Sequence, residues 1–107
     1  MGRRPGEVEQ MILAAVLRRG NRAYGVEILE EIEKETGRSI ASGALSVSLD
    51  RLEQKGLVTT EGSEPSPERG GRPRRYARLT AEGLLAIQEM RSAMLALWDG
   101  LEESLDP

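Results

Sequence analysis

"LVTTEGSEPSPERGGRPRRYARLT", residues 57–80, is where the periodicity of the chain changes. "LVTTE" is short and β-branched, "SEPSPERGGRP" is rich in turn formers, and "RRYARLT" is extended again, so the segment reads as a β-hairpin with a long basic tip. Between Pro65 and Arg78 five arginines, Arg69, Arg72, Arg74, Arg75 and Arg78, stand against the single Glu68, in a chain whose net charge is −3. A sheet edge needs only one or two charges to stay unpaired. The excess therefore points to a docked anion, and phosphate is the commonest such partner.

Working outward, the segments on both sides of the hairpin have helical period. From Glu7 to Arg19 the apolar residues Val8, Met11, Ile12, Ala15 and Val16 form one stripe, with Pro5–Gly6 before it and Gly20 after it. A second helix is expected from Tyr24 to Thr36, with Tyr24, Ile28, Leu29 and Ile32 inward. The acids of "EILEEIEKE" then form its solvent face, and Gly37 stops it. Ser42 is placed to cap a third helix in which Leu45, Leu49 and Leu52 share a side, Ser46, Val47, Asp50 and Gln54 face outward, and Gly56 closes the run. After the hairpin, Thr80 caps a long last helix whose Leu84, Ile87, Met90, Met94, Leu97 and Leu101 recur by threes and fours.

Composition narrows the chemistry. With 107 residues there is room for one modest core, and with no Phe and one Trp that core is aliphatic. The absence of Cys and His removes thiol chemistry, the usual general base and the commonest metal ligand. No spacing joins a nucleophile to a base. The expectation is a non-enzyme with no cofactor and no metal. No apolar run reaches the length of a membrane span, so a cytoplasmic protein with no membrane partner is expected.

Helix, helix, helix, hairpin, helix is the order of a winged helix-turn-helix domain with an added C-terminal helix, a mainly α fold with a small β-hairpin (α+β). Three segments, "AYGVEILEEIEKETG", "SGALSVSLDRLEQKGLV" and "ERGGRPRRYARLTAEG", resemble in this order the small form of the PadR family of bacterial transcriptional regulators. The resemblance spans Glu7 to Gly100. It implies a winged helix-turn-helix DNA-binding domain over residues 1–80, and over 81–107 a C-terminal dimerisation helix packed on it. It also implies a repressor, binding double-stranded DNA as a homodimer. Ser46 stands where the family's recognition helix typically has Tyr, and Ala77 where a second aromatic often follows Tyr76.

The DNA-binding residues expected are Ser42, Ser46 and Val47 on the third helix and Arg72, Arg74, Arg75 and Arg78 on the wing. Ser42 would offer a helix N-terminus to phosphate, and Val47 would touch a thymine methyl. Strand alternation places Arg74, Tyr76 and Arg78 on one face and Arg75, Ala77 and Leu79 on the other. Leu84, Ile87, Met90, Met94, Leu97, Trp98 and Leu101 form the expected dimer interface, because a monomer has nowhere to bury so wide an apolar stripe. By resemblance, Trp98 and Met94 are the candidates for a small aromatic effector's pocket, beside the simpler reading of Trp98 as an interface anchor. A second functional reading is a winged-helix protein–protein interaction module without sequence-specific DNA binding.

Overall fold

The structure, a computed structural model, describes residues 4–62 and 75–106. Helix α1 spans Glu7–Arg18, strand β1 Ala23–Tyr24, α2 Gly25–Thr36 and α3 Ser42–Gln54. Strand β2 follows at Val58–Gly62 and β3 at Arg75–Leu79, then α4 at Ala81–Trp98 and a single turn, α5, at Glu102–Leu105. The strands form one antiparallel sheet in the order β1-β3-β2, with Ala23 opposite Ala77 and Val58 opposite Leu79. The fold is mainly α with a small sheet, as the periodicity predicted. The hairpin tip, with Arg69, Arg72 and Arg74, lies outside the described residues.

The core sits where α1, α2 and α3 close on the inner face of the sheet. Ile12, Leu13 and Val16 from α1 meet Ile28 and Ile32 from α2, and Leu45, Leu49 and Leu52 from α3. Val58, Ala77 and Leu79 complete it from the strands. The strands alternate, so Ala77 and Leu79 are buried while Arg78 is exposed. Ala77 thus faces the core, and its departure from the family's aromatic concerns packing rather than the outer surface.

Local chemistry explains the ends. Glu9 Oε1 accepts from the Gly6 amide at 3.0 Å and Glu27 Oε1 from the Tyr24 amide at 2.8 Å, so α1 and α2 begin with a carboxylate reaching back over the first turn. Thr80 caps α4 as predicted, its hydroxyl accepting from the Gly83 amide at 3.0 Å. Between α1 and β1, Gly20 and Asn21 both hold positive φ, and Asn21 Oδ1 accepts from the Leu79 amide at 2.8 Å. That bond ties the turn to the sheet.

Four expectations are corrected. Ser42 is not the cap of α3: Ala41 is, with extended φ/ψ, and its carbonyl accepts from the Leu45 amide at 3.0 Å. Ser42 is the first helical residue. Tyr24 belongs to β1, because pairing with Tyr76 draws it into the sheet before α2 begins. The last helix stops at Trp98; Gly100 at φ +84° turns the chain, and Leu101 lies beyond α4. The acidic side of α2 is not wholly solvent, since Glu31 is buried, its side chain only 7% exposed.

Candidate nucleic-acid interface

Helix α3 is the element that the sequence marks for DNA, and its two sides differ sharply. Leu45, Leu49 and Leu52 are buried, whereas Ser42, Ser46, Val47 and Asp50 are exposed. The spacing of three and four residues places Ser46, Val47 and Asp50 together on one ridge. None of the three is covered by a neighbouring element to the extent of burial, so the ridge is open to a groove-sized ligand.

The described cations divide into those held by carboxylates and those that are not. Arg18 donates to Glu31 and Glu35, each at 2.9 Å, and Arg19 to Glu31 at 2.9 Å, with Glu27 and Glu30 at 3.5 and 3.7 Å. Those arginines fasten the end of α1 to α2. Their hydrogen bonds, that from Arg18 foremost, hold the Glu31 carboxyl below its usual range, and the same bond raises Arg18. Lys55 is bound to Glu9 at 2.5 Å, Arg38 to Glu7, and Arg75 to Asp50 at 2.9 Å and Glu53 at 3.4 Å. Among the described residues Arg4, Arg22, Lys34, Arg51, Arg78 and Arg91 are outside these ion pairs, and Arg22, Arg51 and Arg78 are the ones on or beside α3 and the sheet.

Arg22 and Arg78 are brought together by the sheet. On its outer face the Arg22 guanidinium lies 4.3 Å from the Tyr76 ring centroid, and Tyr24 meets the same ring edge-on at 5.5 Å. The Tyr76 hydroxyl donates to Glu61 at 2.5 Å, and this bond is the main reason its pKa is raised. Arg78 follows two residues along β3 on that face. Sequence reading missed Arg22, because a two-residue strand leaves no period and only its pairing with β3 reveals where the arginine lies.

All the expected interface residues but Leu101 are spread along α4. Ile87 is half-buried against the core, whereas Met94, Leu97 and Trp98 are 42%, 71% and 55% exposed. Leu84 and Leu101 are exposed as well. Met90, Met94 and Leu97 line one apolar groove with Pro5, Leu57 and Leu85, and Trp98 lies outside it. Thus Met94 and Trp98 do not share this cavity. Among the described residues no helix is long and apolar enough to cross a membrane.

The sequence profile of the transcriptional regulator PadR-like family matches residues 12–89, from α1 through the first half of α4. The chain belongs to the PadR-like family of transcriptional regulators. This PadR-like chain is similar in fold to a PadR family regulator from Clostridium difficile, with TM-score 0.75 and 21% identity over 94% of this chain and 100% of the other. A PadR-like regulator from Bacillus cereus gives TM-score 0.71 and 20% identity, covering 94% and 92% of the two chains. F93 from STIV, a winged-helix DNA-binding protein, gives TM-score 0.67 and 22% identity, covering 85% and 90%. No curated protein matches this PadR-like sequence. The family consists of transcriptional regulators, not enzymes, and its winged helix is the fold found here.

Proposed function

We propose that the protein is a homodimeric repressor that binds a pseudo-palindromic operator with α3 in the major groove and the hairpin along the flanking backbone. The observation that carries this reading is the open ridge of α3, Ser42, Ser46 and Val47, held out by three buried leucines beside a hairpin rich in arginine. Ser46 offers a hydroxyl to a base edge and Val47 a methyl surface to thymine. Arg72 and Arg74 of the tip, with Arg78 on β3, supply the phosphate or minor-groove contacts. Arg75, expected among them, has its guanidinium on Asp50 and Glu53.

Dimerisation supports the two-fold operator. Leu84, Ile87, Met90, Met94, Leu97, Trp98 and Leu101 supply the apolar surface, and a second copy of α4 would fill the groove beside Met90 and Leu97. Residues 1–80 then serve as the DNA-binding part and 81–107 as the dimerising part. Two α3 helices related by a two-fold axis read half-sites about 34 Å apart, and repression follows from occlusion of promoter DNA. A small aromatic effector in this groove would meet Met94, and would reach Trp98 only where the second copy brings the two side chains together. Such a regulator works in the cytoplasm.

The test is a fluorescence-anisotropy titration against the duplex upstream of the protein's own gene and a scrambled duplex, at two salt concentrations. Tight, salt-sensitive binding that prefers the upstream duplex is the expected result. Failure to bind either duplex at low salt would overturn this reading in favour of a protein-interaction module.

A further inference from the structure

Arg75 begins β3 and pairs with Gly62, the last rung of the β2–β3 ladder before the hairpin tip. From that rung its guanidinium crosses to α3, donating to Asp50 Oδ1 at 2.9 Å and Glu53 Oε1 at 3.4 Å. The hydroxyl of Thr60, two residues back along β2, lies 3.1 Å from both carboxylate oxygens of Glu53. The hairpin is thus fastened to α3 at the point where its tip leaves the sheet. Asp50 lies one helical turn beyond Ser46 and Val47 on the same ridge, so Arg75 also pairs with the acid nearest the residues proposed to face bases.

We infer that Arg75 is a positioning residue: by pairing with Asp50 and Glu53 it fixes the angle between α3 and the wing, rather than contacting a phosphate. This inference rests on the proposal that α3 and the wing meet one duplex. The guanidinium suits the task, because its forked donors reach two carboxylates at once where an ammonium acts as a point charge. All three charged side chains are partly in solvent, Asp50 61% exposed, so the link adds little to global stability. Its effect lies in alignment. With the link removed, the wing and the ridge of α3 would still touch DNA, but without the fixed spacing that lets both fit one sequence.

A DNA-free measurement tests the link itself. Hydrogen exchange on the wild-type protein and on Arg75→Gln should show faster exchange at Glu61 and Tyr76, with α1 and α2 unchanged; equal exchange at the ladder end would overturn the link. The second measurement is a double-mutant cycle in DNA binding between Arg75→Gln and the pair Asp50→Asn/Glu53→Gln. In the otherwise wild-type chain, Arg75→Gln should lower the preference for the upstream over the scrambled duplex about tenfold, comparable to weakening one base contact, with an unchanged salt slope. In the Asp50→Asn/Glu53→Gln background it should do nothing further. An additive loss with a slope smaller by about one unit would make Arg75 a phosphate contact and overturn the inference. A wild-type protein that binds neither duplex would overturn the DNA reading and the alignment role with it, while the exchange data still decide whether the link exists.

Discussion

A Cβ placed on Gly83 would lie 2.1 Å from the carbonyl oxygen of Leu57, so the first turn of α4 rests directly on backbone. That same carbonyl accepts the Thr80 amide at 3.0 Å, and the Thr80 hydroxyl donates to Gly56 O at 2.7 Å. The start of α4 is therefore seated on the turn between α3 and β2 by contacts that leave no space for a side chain. Gly83→Ala should destabilise the protein by roughly 2–3 kcal/mol, the cost of overpacking against atoms that have little room to move. A urea midpoint that falls with an unchanged slope is the expected result; an unchanged midpoint would mean that α4 is not held at this contact.

Glu31 makes stability depend on acid in a defined direction. Its carboxyl is held below the reference value of 4.5 by hydrogen bonds from Arg18 and Arg19, so the folded state favours the ionised form. The stabilisation is complete above the unfolded pKa and is lost as pH falls through the lower, folded one. Thermal midpoints measured from neutral pH downward should fall more steeply for the wild type below about 4.5 than for Glu31→Gln. Parallel profiles would show that the arginine pair does not act through this carboxylate.

The hydroxyl of Tyr76 works with the opposite sign. Its pKa is raised above 10.0, chiefly by the hydrogen bond to Glu61, so the protonated phenol is the form that the fold favours. Its contribution is present below the unfolded pKa and disappears as pH rises through the folded one. In a Tyr24→Phe background, where Tyr76 is the only tyrosine, phenolate absorbance should give a midpoint above 10.0, and Glu61→Gln should lower it. A midpoint indifferent to Glu61 would remove that bond as the cause.

These side chains also mark how far the sequence could be read. The stripes Ile12–Val16 and Leu45–Leu49–Leu52 gave α1 and α3 because burial follows helical period. The change to β-branched residues after Gly56 likewise gave the hairpin. Strand β1 was invisible, since two residues make no pattern and the pairing that defines them comes from more than fifty residues away. Arg22 was missed with it. Glu31 looked like one more acid on a charged helix; only the docking of α1 brings two arginines over it. Leu101 continued the apolar spacing of α4, and that spacing obscured the stop signal of Gly100. Ser42 has the chemistry of a cap but sits one residue inside the helix, a margin finer than residue type resolves.

The exposed side of α4 leads to a prediction about assembly. Met94 and Leu97 leave 42% and 71% of their surface in solvent, and both line the groove that a second α4 would enter. Burying a Met or Leu fully is worth roughly 1.5–3 kcal/mol and about half of each side chain is still exposed, so loss of both contacts from both protomers should weaken a dimer by about 3 kcal/mol or more, at least about a hundredfold in dissociation constant. On the proposed assembly, Met94→Glu/Leu97→Glu should therefore sediment as a monomer at concentrations where the wild type sediments as a larger species. Neither residue belongs to the buried core, so far-ultraviolet circular dichroism should keep its helical signal. A variant that remains dimeric would place the interface on another surface, whereas loss of helix would mean that this side of α4 supports the protomer itself.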